Sequence, residues 1–207
     1  MGAVAFFVLR GSEGGGGGIF GGGGGNDTIP TLELRITKTI AVSTTATPAK
    51  KLKAGASSIA KKVTDAMNRL YTAAFLDPGN WRDNSYDDVW AMFDQGARAA
   101  AQQEVEAVTL GSTAGDVYNK VAEPIGKIEV RVLMNENDQP ATAVAIVDFT
   151  ATATGKDGTK TLVVSTGQYF LKEVSGNWAI YSYSVRREDH PIVPTPGPSG
   201  SPSTVSS

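Results

Sequence analysis

The sequence predicts an α+β protein in which N-terminal helices pack on one face of a curled antiparallel sheet of four or more strands. Three observations carry this. Apolar residues recur at steps of three and four from Leu52 to Ala74, the period of an α-helix. At Ile128, Val130, Val132 and Met134 the period falls to two, that of a strand with one buried face. Beyond that point every connection is short, so neighbouring strands should pair antiparallel as a meander. Helices followed by such a run of strands is the α+β order.

The elements follow in turn. Thr47-Pro48 fits a helix start, with Thr as N-cap and Pro at the first helical position. Leu52, Ala56, Ile59, Val63, Met67, Leu70 and Ala74 then form one apolar stripe, widened by Tyr71 and Phe75. Gly55 weakens the first turns, so the firm helix is expected from about Ser57. Asp77-Pro78-Gly79 ends it. Lys50, Lys51, Lys53, Lys61 and Lys62 form a solvated face, or a contact for acidic lipid headgroups. Ser85 with Asp88 reads as a capping box ahead of a short helix carrying Val89, Trp90 and Phe93. Ala97 to Val108 reads as a third helix stopped by Gly111, and Val117 with Val121 as one more turn before Pro124.

The strands begin at Lys127 to Met134, where Lys127, Glu129 and Arg131 take the solvent side. Asn135 to Pro140 turns the chain. Ala141 to Thr154 is a second strand, long and rich in β-branched residues. Gly155-Lys-Asp-Gly158 is a hairpin turn. Thr161 to Val174 is a third strand, where Gly167 suggests a bulge or a close backbone approach. Ser175-Gly176-Asn177 turns again into Trp178 to Arg187. A sheet this long must twist and curl, leaving a hollow that the helices partly cover. That hollow is where a site is expected.

The two ends differ from this body. The chain has 207 residues, of which 41% are hydrophobic and 19% charged, with 24 Gly, no Cys and a formal charge of −2. Twelve of the 24 Gly lie in residues 1–26 and five of the 10 Pro in residues 191–202. Residues 1–9, from Met1 to Leu9, are apolar but too few to span a bilayer, which takes about 20. They read as the distal end of a transmembrane anchor whose first half lies upstream, or as a frayed apolar terminus. Residues 10–46 read as a Gly/Thr-rich flexible tether. Within it, Leu32-Glu-Leu34-Arg-Ile36 alternates and fits a strand as well as a linker. Residues 47–190 make the folded domain. Residues 191–207, Pro-, Ser- and Thr-rich, bury too little to offset their ordering entropy and are expected to be disordered. No cysteine means no disulfide framework and no thiolate metal site. The near-neutral balance argues against a dedicated nucleic-acid binder.

A long helix, a short helix carrying Trp90 and a four-stranded meander closing on Gly176-Asn-Trp178-Ala-Ile180 resemble the NTF2-like (cystatin-type cone) superfamily. Its closing strand commonly carries Gly-x-Trp-x-Ile. The resemblance covers about residues 50–190. With an anchor and a tether before the domain, the chain resembles the Mce-associated membrane proteins. That implies an interaction or scaffold module in the cell envelope, with the domain outside the cytoplasm and envelope or membrane proteins as partners. Other branches of the superfamily are isomerases, cyclases and dehydratases, which place Asp, His or Tyr in the cone. They imply the alternative: an enzyme or a binder of an apolar small molecule, with the cytoplasm as the alternative location. The fold's habits also suggest a homodimer through the sheet. A fold hosts many functions, so the resemblance alone does not choose.

The chemical inventory is poor. The one histidine, His190, sits before Pro191 at the domain's edge, and no His or carboxylate spacing suits a metal, so neither metal nor cofactor is expected. The candidate catalytic acid is Asp148, mid-strand between Val147 and Phe149. A hairpin at residues 155–158 sets it opposite Ser165, on one face with Val144 and Ile146. It is then a buried base or a rim group bonded to Ser165. The same register gathers Gln168, Tyr181 and Tyr183 on the other face, as cavity lining together with Trp90. Arg186-Arg187-Glu188-Asp189 reads as a solvated strand end or part of a partner interface. The glycine run at residues 14–25 lacks the Lys-Ser/Thr and flanking elements of a phosphate loop.

Overall fold

In the computed structural model, which describes residues 28–43 and 49–193, strand β1 (Arg35–Val42) precedes helix α1 (Ala49–Tyr71). A π-helical turn, Thr72–Leu76, extends α1. Four short helices and one of nine residues follow: α2 (Pro78–Trp81), α3 (Asp87–Trp90), α4 (Gln95–Gln103), α5 (Val105–Val108) and α6 (Ala114–Val117). The chain then forms β2 (Tyr118–Met134), β3 (Pro140–Gly155), β4 (Lys160–Val174) and β5 (Asn177–Pro191). The sheet order is β1-β2-β3-β4-β5. The last four strands pair antiparallel, as the short turns require. This is the α+β arrangement the sequence predicts, helices packed on a sheet, with α1 packed on β1, β2, β3 and β5.

Alternation decides the layers. In β3, Ala143, Ala145, Val147, Phe149, Ala151 and Ala153 are buried, and the residues between them face outward. In β4, Val163, Ser165, Tyr169 and Leu171 are buried on the same inner face. From α1, Ala56, Ala60, Val63, Met67, Leu70 and Tyr71 meet that face. Gly167 sits in an unbroken register between Val147 and Val185, so it marks a close approach and not a bulge. A Cβ there would stand 2.9 Å from the Tyr169 ring and 3.0 Å from Val185.

Several expectations are corrected. The tether does not run to residue 46: residues 35–42 are a strand, paired parallel to β2, which makes the sheet five-stranded and mixed. Leu32 and Leu34 before it are buried. Leu34 lies over Gly126, whose missing side chain makes the room. The backbone N–H of Leu34 donates to Asn68 Oδ1 at 2.8 Å, fixing the segment to α1. Val121 is in β2 and not in a helix. Pro124 interrupts the strand, where the register shifts between Ala122 and Ile125 and Glu123 takes a φ of 55°. Proline has no N–H for the ladder, so a bulge accommodates it. The third helix is broken at Glu104 into α4 and α5. Its N-cap is Asp94, which accepts from the Ala97 N–H. Ser85 caps nothing: α3 begins after Tyr86 without a side-chain cap. The helix runs unbroken through Gly55 from Ala49, ahead of Ser57. Thr47 and Pro48, residues 1–27 and residues 194–207 lie outside the described residues, and with them the anchor, the glycine run and most of the tail. Among the described residues no helix is long and apolar enough to cross a membrane.

Candidate functional site

The inside of the cone is packed with rings. Tyr71 stacks on Phe75 at 5.5 Å between centroids, and Phe149 lies 5.0 Å from Tyr71 and 5.1 Å from Phe75. Tyr169 meets Tyr71 edge-on at 6.1 Å. The Tyr169 hydroxyl donates to the Tyr71 oxygen at 3.1 Å, and that oxygen lies 3.5 Å from Ser165 Oγ. Burial pushes both hydroxyls above the ordinary tyrosine value, Tyr169 well above it. Both stay protonated at neutral pH, and their hydrogen bonds satisfy three buried hydroxyls among apolar neighbours.

At the end of the sheet where β5 finishes, the chain forms a clasp that its composition concealed. Arg187 lies on the inner face, its side chain only 11% exposed. Its Nε donates to Asp189 Oδ1 at 3.0 Å and its Nη2 to Oδ2 at 2.5 Å. Its Nη1 donates to the carbonyls of Thr109 at 3.0 Å and Glu106 at 3.2 Å. Four hydrogen bonds nearly exhaust five N–H donors. The Tyr118 hydroxyl donates to Asp189 Oδ2 at 3.4 Å, and that of Tyr86 to the Gly111 carbonyl at 2.9 Å. Glu106 accepts from the Ser112 hydroxyl and N–H, which hold its carboxyl below the ordinary range. Burial pushes Tyr86 up to about 12, and burial with the Asp189 charge raises Tyr118. Perturbed groups gathered in one place are a mark of functional sites. Here every partner is internal, and the product is a latch joining α5 and its following loop to β5. The signal in the sequence was Arg187 and Asp189 at a spacing of two, on one face of a strand; read as a charge run, it looked solvated.

The sequence candidates do not come together. Asp148 pairs with Thr166, not Ser165, and is exposed on the outer face. The turn after β3 includes Thr159, whose carbonyl accepts from the Gly155 N–H, so it is one residue longer than Gly155–Gly158. One residue of register moves the partner to the other face. Ser165 therefore faces Tyr71, away from Asp148. Gln168 is on the outer face beside Ile146 and Ser184. Tyr181 is also outside, 6.3 Å from the Phe170 ring and beneath Lys172 Nζ at 5.5 Å. Tyr183 is inside, paired with Tyr169 and edge-on to Phe93 at 5.4 Å. The bulge between Ile180 and Ser182 separates the two tyrosines. Ile180 stays paired with Leu171 and on the other edge of β5 bonds Met92 and Asp94 through its own N–H and carbonyl. The Tyr183 hydroxyl is buried and makes no geometrically sound hydrogen bond; burial, then the nearby Glu104 carboxylate, pushes it up to about 12. Trp90 is buried between Tyr86 and Phe93 as core. His190 is exposed beside Glu188.

A concavity of about 680 Å³ lies on the opposite end, between α1, α3 and the start of β5. Asn68, Arg69 and Thr72 line one side, Asp88, Ala91 and Met92 the other, and Trp178 closes it. The Trp178 indole N–H is buried and unpaired, as is that of Trp81 in the core. An unmade hydrogen bond of this kind costs about 1–3 kcal/mol.

One solved structure similar to this chain is a hexachlorocyclohexane dehydrochlorinase (LinA) type 2, 8% identical over 73% of this chain and 99% of that one, with a TM-score of 0.44. A likeness at that level extends to no residue role and no activity. No protein-family model and no curated protein matches the chain.

Proposed function

We propose that this protein is a non-catalytic interaction or scaffold module of NTF2-like architecture, working outside the cytoplasm at a membrane, as Mce-associated proteins do. One observation supports the non-catalytic half. The interior of the cone is filled by Tyr71, Phe75, Phe149 and Tyr169, and the Arg187 clasp at its end spends its hydrogen bonds internally. A general base must reach its substrate's proton. Asp148 is on the other face of the sheet, and the buried tyrosines hold their protons. The location is supported by the sequence alone: apolar Met1 to Leu9, then a glycine-rich run. The partner is an envelope or membrane protein or a second copy, and the outer sheet face, with Ile146, Phe170 and Tyr181, is the surface offered to it.

Epitope-tagged full-length chain in its native cells should sediment with membranes and be cut by protease added outside the cytoplasmic membrane. A protease-protected cytosolic pool would overturn the location. Purified chain should leave isomerase, cyclase and dehydratase substrates unchanged; turnover lost in Asp148→Asn would overturn the non-catalytic role. A second reading, binding of a small molecule, is favoured by the concavity beside Trp178.

A further inference from the structure

The concavity beside Trp178 has properties that the fold does not require. Its wall contains the π-helical turn Thr72–Leu76, a geometry that recurs at functional sites. Trp178 lines it, while its unpaired indole nitrogen is buried away from the solvent in it. Arg69 from α1 and Asp88 from α3 line it too, both exposed, and neither makes an ion pair or hydrogen bond among the described residues. Ala73, Ala91 and Met92 supply apolar surface between them. Asp77 adds a second carboxylate, already accepting from the Gly79 N–H at 2.9 Å.

Opposite charges on the two sides of an apolar concavity select a ligand that carries both. We propose that this concavity binds a small apolar zwitterion of the amino-acid or short-peptide class. The carboxylate meets Arg69, the ammonium meets Asp88 with Asp77 behind it, and the apolar side chains cover Met92 and Ala91. A volume of about 680 Å³ suits a peptide of two or three residues. The proposal deepens the small-molecule reading and rests on it. It is independent of whether the cone is catalytic.

The test is titration calorimetry of the full chain with the dipeptide Leu-Phe, its N-acetyl derivative and its C-terminal amide. The free dipeptide should bind, and each blocked form should bind about tenfold more weakly, the scale of one lost charge-assisted hydrogen bond. Arg69→Gln should abolish the discrimination between acid and amide, and Asp88→Asn that between free and acetylated amine. Both side chains are exposed, so an unchanged Tm checks that each variant is folded. Equal binding of all three peptides, no binding at millimolar concentration, or variants that keep the discrimination would overturn the proposal. Turnover inside the cone that survives both substitutions would sink the non-catalytic role and leave this site standing.

Discussion

Replacing Arg187 with alanine should destabilise the protein by about 3 kcal/mol, the low end of what breaking a buried ion pair costs. The substitution removes four charge-assisted hydrogen bonds at once. It strands two carbonyls, Glu106 and Thr109, and leaves Asp189 without its cation. Each such bond contributes about 1.5–3 kcal/mol in isolation, but four bonds from one guanidinium do not add. Asp189 is 30% exposed, so water takes over part of its solvation, which is why the low end applies. In a domain of this size each kcal/mol moves Tm by about 2–4 °C, so a fall of about 6–12 °C is expected. Urea unfolding followed by far-UV circular dichroism measures it, with an unchanged m-value showing that the same surface is exposed. Arg187→Lys should recover only part of the loss, because an ammonium cannot fork across a carboxylate. A loss under about 0.5 kcal/mol, the range of ordinary surface positions, would refute the clasp and return Arg187 to a solvated strand end.

Gly126→Val should cost about 1–3 kcal/mol, since a Cβ there overlaps the Leu34 side chain and must expel it; exchange of the β1 amides with deuterium should rise in step. Tyr169→Phe should cost about 1 kcal/mol by removing the donor to Tyr71, measured by the same urea titration. Asp148→Asn should leave stability within about 0.5 kcal/mol, as for any exposed strand position. Acid should weaken the fold. The Lys172 and Ala97 hydrogen bonds hold Asp94 below 3.8, and Ser112 holds Glu106 below 4.5. A depressed carboxyl stabilises fully above its unfolded value and loses that contribution as pH falls through the folded one. Asp94→Asn and Glu106→Gln should therefore each flatten the drop in Tm below about pH 4.5.

Wherever one side of an element meets water and the other the core, the sequence carried the element. The stripe from Leu52 to Ala74 is α1, and Ile128, Val130 and Val132 are the inner face of β2. β1 was ambiguous because it lies at the sheet edge with both faces half open, and its parallel partner is far along the chain. Val117 does end a helical turn, α6, whereas Val121 misleads because the β2 bulge at Glu123-Pro124 mimics a helix stop. The site was less legible than the fold. One residue of turn length puts Asp148 opposite Thr166 and away from Ser165, and the bulge at Tyr181 sets it on the other face from Tyr183. Arg187 was hidden because a charge looks solvated until its carbonyl partners, 78 and 81 residues away, are known.

The most direct measurement is an NMR titration of the tyrosine Cζ resonances, with Tyr71 and Tyr169 assigned by substitution. If rings fill the cone, neither hydroxyl ionises before the chain unfolds in base, and a soluble paramagnetic probe broadens neither ring. Ionisation of either tyrosine near the ordinary value of about 10, with broadening by the probe, would mean that solvent reaches an open hollow and that the cone is free for chemistry.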